Sequence, residues 1–384
     1  MKKFILDFFN NFKSKGAKHK VLVISIAVMY LFIACVCLIH VECDYTSPGD
    51  INRVGNVIEL ENTPTDVTNS KIFTVSVYTN TKISLAQYFI AKYLDKNTDV
   101  EIVDHDESFI TVNEQNKIDV CAKQQSIQDS IIVAYNYAKE EGKDVNLEYT
   151  YGGVVVCVIP SNYYKTGPES LLIGDIVKKI GDVEITSMDV FREVVEGYYN
   201  QYLENGKSFS SVTIPTIKVI RDGKEVTLNA CSSSVVINLG NYSKQFRDEN
   251  NNNFEYYFYN YYNINYETSK PKIEISKTIS VGPSGGLMQA IYVYNAITGG
   301  EIAKDKYLVG TGTISTDGSV GEIGSIQQKI VTASIYLSDY FFVADENYLE
   351  ALEAYNKLKN PTFKLVKVEK FEDAIKALQE KEGE

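Results

Sequence analysis

A nearly continuous apolar run over residues 21–41 constrains this chain more than any other feature of its sequence. Only Ser25 and His40 interrupt it, and its length matches the roughly 20 residues that cross a bilayer as a helix. Lysines precede the run and acids follow it: Lys2, Lys3, Lys13, Lys15, Lys18 and Lys20 before, and Glu42, Asp44 and Asp50 after. The positive-inside rule predicts a cytoplasmic N-terminus over residues 1–20, a single-pass anchor in the cell membrane over 21–41, and an extracytoplasmic remainder.

A cleaved signal peptide is the alternative interpretation of this run. The run is longer than the roughly 7 to 15 apolar residues of a signal peptide, and no Ala-x-Ala cleavage site follows it. We therefore favour an uncleaved signal anchor. After it we expect a polar linker over residues 42–70 and a membrane-proximal α/β region over 71–148. In this region we predict a helix from Val120 to Gly142, which ends at the glycine, and identify no chemistry.

Length, charge and cysteine usage limit the functions open to the rest of the chain. Its 384 residues are enough for two or three domains. A net charge of -12 argues against a basic surface for phosphates, so we expect no nucleic-acid partner. The cysteines have neither metal nor redox spacing, and the sequence contains no Gly-x-x-x-x-Gly-Lys-Ser/Thr loop. We therefore expect no metal, no cofactor and no intrinsic ATPase activity.

Ser284 is the strongest candidate nucleophile. It lies in the motif GPSGG, which starts at Gly282 and directly precedes an apolar helical pattern over residues 287–293. A serine there faces the unpaired N–H groups and the positive dipole end of the helix, where an oxyanion could be held. Gly282 and Gly285 leave room for a substrate carbonyl beside the hydroxyl. The alternative is an ordinary N-cap serine after a Gly-Pro turn.

Lys329 is the strongest candidate for the base that a serine nucleophile requires. Two of the three histidines, His19 and His40, lie in or beside the apolar run, so a Ser/His/Asp triad would have to recruit His105. Lys329 instead opens a helix of small and apolar residues. Burial there would lower its pKa because desolvation disfavours the ammonium. The alternative is a lysine whose ammonium extends from an amphipathic helix into water.

Together these motifs resemble the Ser/Lys proteolytic domain of the Lon family. The shared features are, in order, GPSGG, an Ala-x-Thr-Gly turn at residues 296–299, the stretch GTGTISTDGSVGEIG from Gly310, and the QQK that ends at Lys329. Matched position by position, the resemblance implies a nucleophile at Ser284 and a base at Lys329. It also implies that Thr311 lies beside the dyad and helps to orient the lysine.

The resemblance implies a Lon-type proteolytic α/β domain over residues 235–384. Gly285 replaces an alanine of the family pattern, Thr313 replaces a common glutamate, and Ser325 replaces a second glycine. Val281 stands where many members carry an aspartate, which suggests a sub-branch with its own substrate preference. Lon domains often assemble into rings, so a homo-oligomer is a further expectation.

Residues 149–234 resemble a PDZ domain of the bacterial protease type. The motifs that carry this resemblance are LLIGDIV from Leu171, IGDVEI from Ile180, and a strand pair that turns at Asp222-Gly223. Such a module binds an extended peptide as an added strand on an open sheet edge. The resemblance places a peptide-binding loop at Gly152, Gly153 and Val154. The alternative is a small β domain with a blocked groove.

The segment over residues 250–266 is rich in Asn and Tyr. Its aromatic residues could stack on nucleic-acid bases, but no basic residue lies within it. We therefore predict an inserted hairpin or loop that packs over the active-site cleft.

The sequence as a whole predicts a multidomain protein of α/β and α+β class. We expect a membrane-anchored, ATP-independent serine endopeptidase that cleaves extended segments of extracytoplasmic proteins and recognises peptides through its PDZ-like module. The main rival is a catalytically weak or inactive scaffold that binds peptides or partners at the membrane. A signal-peptidase-like Ser/Lys enzyme fits less well, because its lysine motif and the order of its motifs differ.

Overall fold

The chain forms a mixed α/β fold with one N-terminal apolar helix, as the sequence predicted. It divides into two compact units, one of Met1–Pro48 with Val77–Glu107 and one of Gly49–Ser76 with Ser108–Glu384. The computed structural model describes residues 12, 16–61, 71–102, 112–157, 170–208, 212, 216–229, 236–237, 239–241, 243–244, 258–276 and 282–380.

Eight α-helices and fourteen strands have defined bounds within the described residues. The helices are α1 (Ala17–Leu38), α2 (Leu85–Tyr93), α3 (Val112–Glu140), α4 (Met188–Glu204), α5 (Gly286–Ile297), α6 (Ile326–Ile335), α7 (Tyr348–Lys357) and α8 (Phe371–Gln379). The strands are β1 (Cys43–Arg53), β2 (Ile58–Leu60), β3 (Ile72–Asn80), β4 (Asp99–Ile102), β5 (Tyr149–Val156), β6 (Ile176–Ile180), β7 (Val183–Glu184), β8 (Ile217–Arg221), β9 (Lys224–Leu228), β10 (Phe258–Ile264), β11 (Ile273–Ile275), β12 (Leu308–Gly310), β13 (Tyr340–Ala344) and β14 (Lys364–Val368).

The first unit carries the apolar helix α1. Of the described helices, α1 alone is long and apolar enough to cross a membrane, and none of its residues is buried within the protein. A membrane anchor and a signal sequence share these properties. In the same unit, α2 begins at a capping box between Ser84 and Gln87, which satisfies unpaired N–H groups of its first turn.

The second unit contains parallel pairings of a sheet in the order β14-β13-β12-β3. All five residues of β13 are buried, as is usual for a parallel strand covered on both faces. One face packs in a cluster with Met288 and Ile291 of α5, and the other with Ile330 and Ala333 of α6. The sheet therefore lies between the helix that follows Ser284 and the helix that carries Lys329.

The helix α3 packs along α5, in which every residue from Gly286 to Ala296 is buried. The sequence placed the start of α3 at Val120, but the helix begins at Val112. Residues 115–117 are exposed, so this part of the helix lacks the apolar periodicity on which the prediction relied.

A second sheet, also in the second unit, is antiparallel with the order β10-β5-β6-β8-β9. The predicted turn between β8 and β9 is confirmed, since Asp222 and Gly223 both have positive φ and Arg221 pairs with Lys224. Arg221 also forms a bidentate ion pair with the buried carboxylate of Asp175. This pair ties the chain before β6 to the β8–β9 hairpin.

The predicted loop at Gly152, Gly153 and Val154 is wrong. These residues lie inside β5, where Val154 pairs with Asn260 of β10 on one side and Val177 of β6 on the other. A strand with neighbours on both sides has no free edge to which a peptide strand could add. The alternative of a blocked groove therefore describes β5 better.

The Asn- and Tyr-rich segment forms the strand that pairs with this edge of β5. Its residues 258–264 form β10, so the predicted hairpin or loop over the active site is wrong for them; residues 250–257 lie outside the described part. Phe258 is buried in the core of the second sheet. The backbone of Tyr262 is bonded in both directions by the Gln128 side-chain amide of α3.

Candidate active site

Ser284 lies half-buried in the turn that leads into α5. Two contacts from α3 hold this turn: the Gly282 N–H donates to the Asp119 carbonyl at 3.1 Å, and Ser126 Oγ donates to the Pro283 carbonyl at 2.9 Å. The nucleophile predicted from the sequence is therefore positioned by a helix from the region 71–148.

Small residues in the turn are required by close packing. Gly282 has φ +86°, a left-handed conformation that glycine adopts at low cost. A Cβ at Gly285 would lie 2.8 Å from Thr74 Cγ2 of β3, and a Cβ at Gly286 would lie 2.7 Å from Ile314 Cγ2. Gly285 thus lets the turn approach β3.

The N–H groups available for an oxyanion differ from those expected at the helix start. The Gly286 N–H donates to the Pro283 carbonyl and the Leu287 N–H donates to the Gly312 carbonyl. Within the described part of the chain, the N–H groups of Ser284 and Gly285 donate to no other group. These two amides are the better candidates to hold an oxyanion.

Thr311 connects Ser284 to Lys329. Its position at the end of β12 is fixed by a bond from its N–H to the Phe342 carbonyl at 2.9 Å. Thr311 Oγ1 donates to the Ser284 carbonyl at 3.0 Å, and Lys329 Nζ donates to Thr311 Oγ1 at 3.2 Å. The Gly312 N–H adds a second bond to the Ser284 carbonyl at 2.9 Å. Thr311 thus forms hydrogen bonds with both the backbone of the candidate nucleophile and the side chain of the candidate base.

Lys329 lies on α6 and is 4% exposed. Burial lowers its pKa to about 8. Among the described residues it forms no ion pair, and its hydrogen bond goes to Thr311 rather than to Ser284 Oγ. Because no acid holds the proton, a substantial fraction of this amine is neutral near pH 8.

The structure brings five of the predicted site residues into one region: Ser284, Lys329, Thr311, Gly282 and Gly285. The predicted peptide-binding residues Gly152, Gly153 and Val154 belong to the second sheet. His105 and Val281 lie outside the described residues.

Asp119 and Ser126 of α3 also belong to this region, although no sequence motif pointed to them. Asp119 acts through its backbone carbonyl, which leaves no signal in the residue type. Ser126 is only 3% exposed within a helix that packs on α5, and this burial is visible only in the fold.

A cavity of about 310 Å³ lies elsewhere, between α3 and the second sheet. Neither Ser284 nor Lys329 lines it; the lining residues are Cys121, Gln124, Gln125, Ile127, Gln128, Val155, Tyr261, Tyr266 and Ile275. Over the ranges that the structure describes, no cluster of three or more His, Cys, Asp or Glu residues could hold a metal ion.

Comparison with known proteins supplies no family for this chain. No family model matches it. No curated protein matches it either. The functional inference therefore depends on the sequence motifs and on the geometry around Ser284, Thr311 and Lys329.

Proposed function

We propose that this protein is a serine endopeptidase in which Ser284 is the nucleophile and Lys329 is the general base. The observation that carries the proposal is the state of Lys329: buried, with no acidic partner among the described residues, and linked through Thr311 to Ser284. A structural lysine would usually pair with an acid or extend into water. The order of the motifs, which resembles that of Lon proteolytic domains, supports the same assignment.

The proposed reaction is acyl transfer in two stages. Ser284 Oγ attacks the peptide carbonyl while neutral Lys329 accepts the hydroxyl proton, and the resulting ammonium then gives this proton to the departing amine. Water next attacks the acyl-enzyme, with Lys329 as base again, and releases the new carboxyl end. The attack requires a Ser284–Lys329 contact tighter than the present one, and such contacts often form only when substrate is bound.

The amides of Ser284 and Gly285 are proposed to hold the oxyanion. Both lie beside the reacting hydroxyl, and within the described residues neither is committed to another acceptor. Loss of one such donor typically costs about 3 to 4 kcal/mol in the barrier.

We propose extended polypeptides as the substrates. The sequence contains no phosphate-binding loop that would drive unfolding by ATP hydrolysis. If α1 is a membrane anchor, the substrates are extracytoplasmic or membrane-attached proteins whose cleaved segments are already unfolded.

Cleavage of unfolded casein by wild type, Ser284→Ala and Lys329→Met tests the proposal. We expect both variants to lose turnover while circular dichroism shows an unchanged fold. Lys304→Met is the matched control, because Lys304 is exposed, and it should cleave at the wild-type rate. Unchanged cleavage by either site variant would remove that residue from the mechanism. A folded wild type that cleaves nothing would favour the peptide-binding scaffold.

A further inference from the structure

Helix α3 carries a second buried lysine, Lys123, that the proposed mechanism does not use. It is 7% exposed. In the described part of the chain it forms neither a hydrogen bond nor an ion pair. Its Nζ atom still reaches solvent, but most of the side chain does not, and a largely buried cation with no anion beside it among the described residues calls for an explanation.

The position of Lys123 along α3 indicates which face of the helix it occupies. It follows Asp119 by four residues and precedes Ser126 by three, and residues at these spacings share one face of a helix. Asp119 and Ser126 are the two residues of α3 that bond the turn at Gly282 and Pro283. Lys123 therefore lies on the face of α3 that contacts the turn bearing Ser284.

The other side of α3 is separate from this face. Gln128, five residues after Lys123, bonds the backbone of Tyr262 in β10. At about 100° per residue, Gln128 is displaced from Lys123 by roughly 140° around the helix. Lys123 is also absent from the lining of the 310 Å³ cavity. It consequently belongs neither to the interface with the second sheet nor to that cavity.

Lys123 is electrostatically distinct from Lys329. Burial alone lowers the pKa of Lys123 to about 8, and neither lysine contributes to the shift of the other. At pH 7 most of Lys123 carries its charge. The protein thus has a neutralisable amine on α6 and, on the face of α3 that bonds the turn before Ser284, a separate cation for which the described residues supply no anion.

We infer that Lys123 binds a carboxylate of the polypeptide substrate, so that the protease prefers bonds close to an Asp or Glu side chain. The inference depends on the proposed endopeptidase function and names the substrate class of that site. The net charge of -12 repels acidic segments at long range, so such a preference requires a local cation. Lys123 supplies it beside the turn that holds the nucleophile.

A matched pair of peptides tests this inference. Casein cleavage sites are first mapped by mass spectrometry. One peptide is then made with Glu within about four positions of a mapped bond, and a second with Gln at the same position. For the wild type we expect at least about a tenfold higher kcat/KM on the Glu peptide, mainly through a lower KM, as for one charge-assisted contact.

Three substitutions of Lys123 distinguish the effect of its charge from the effect of its packing. Lys123→Met should reduce the Glu-to-Gln ratio to about one, and Lys123→Gln guards against a packing defect in the Met variant. Lys123→Arg should retain part of the preference. Lys117→Met, on the exposed part of α3, should keep the full wild-type ratio.

Three results would overturn the inference. One is a wild type that cleaves both peptides equally, and another is a Lys123→Met variant that keeps the preference; either leaves the endopeptidase assignment intact. A wild type that cleaves no bond in casein would remove both the proposed function and the preference that depends on it.

Discussion

The protonation state of the buried Lys329 amine determines the pH range in which the proposed reaction can proceed. The pKa of this group is lowered to about 8 by burial, and the form that accepts a proton is the neutral one. We therefore expect kcat/KM to rise with pH, with a midpoint near 8, and to reach a plateau above about pH 9. Cleavage of the Gln peptide, which has no carboxylate for Lys123 to bind, measures this profile between about pH 6 and 10. A flat profile, or one that falls above pH 8, would argue against a lysine base.

The same burial should make Lys329 destabilising at neutral pH. Its pKa in the folded state, about 8, lies below its ordinary value of 10.5, so the folded state loses stability as pH falls from about 10.5 to about 8. The shift corresponds to about 3 kcal/mol below pH 8 and vanishes above about pH 10.5. Lys329→Met should therefore raise the free energy of unfolding by up to this amount at pH 7, and by much less at pH 10.

Urea unfolding at both pH values checks this expectation. The exposed Lys304→Met provides the control and should change stability little at either pH. A Lys329→Met variant that is equally stabilised at pH 7 and pH 10 would show that the lysine is not desolvated as described.

We expect Thr311 to influence the reactivity and the pKa of Lys329, and not only the stability of the fold. Its hydroxyl accepts from Lys329 Nζ and donates to the Ser284 carbonyl, and valine has nearly the same shape without either bond. We expect Thr311→Val to lower kcat about tenfold. It should also move the pH midpoint below that of the wild type, because the ammonium loses its acceptor. Thr311→Ser should keep both features, and a Val variant that matches Ser in kcat and midpoint would exclude this role.

At the scale of single elements, the parts that could be predicted depend on local sequence. The motif GPSGG before an apolar helical pattern predicted the turn at Ser284, and Asp222-Gly223 predicted the hairpin between β8 and β9. The pairing of β10 with β5 joins residues about a hundred positions apart, and no local pattern encodes such a contact. From the sequence we therefore expected a free edge at β5, whereas in the structure β10 pairs with that edge.

The role of α3 was missed for a related reason. The predicted helix was correct in type, but its function is to position residues 282–283 through one backbone carbonyl and one hydroxyl. Neither contact alters the apolar periodicity from which the helix was predicted. The catalytic candidates could thus be chosen from motifs, whereas the residues that hold them required the fold.

The Asp175–Arg221 pair should be a principal support of the second sheet. Asp175 is 1% exposed, and besides Arg221 it accepts from the Leu172 N–H at 2.8 Å. Asp175→Ala removes both carboxylate oxygens from the Arg221 guanidinium and the acceptor of the Leu172 N–H, so we expect a loss of about 3 kcal/mol in the free energy of unfolding.

An exposed pair in the same sheet is the control. Glu225→Ala removes the partner of Lys218, and both side chains are largely exposed, so it should cost under about 1 kcal/mol. Urea titration of the two variants measures the difference. Equal costs would mean that the buried pair is no more important than a surface contact.

At the scale of the whole molecule, α1 decides where the proposed protease works. The helix spans Ala17–Leu38 and none of its residues is buried in the protein. For an uncleaved anchor, we expect the full-length chain to stay in the membrane fraction after alkaline carbonate washing, and its N-terminal peptide to include residues before 21. A released chain that begins beyond residue 41 would instead identify a cleaved signal peptide.

Covalent labelling of Ser284 by a serine-reactive fluorophosphonate tests the central claim most directly, because it needs no knowledge of the substrate. Intact mass and peptide mapping of the wild type should show one adduct, on Ser284, that forms faster at pH 9 than at pH 7. Ser284→Ala should take up no label, and Lys329→Met should react slowly at both pH values. An unlabelled Ser284, or labelling that is independent of both Lys329 and pH, would contradict a serine activated by a neutral lysine.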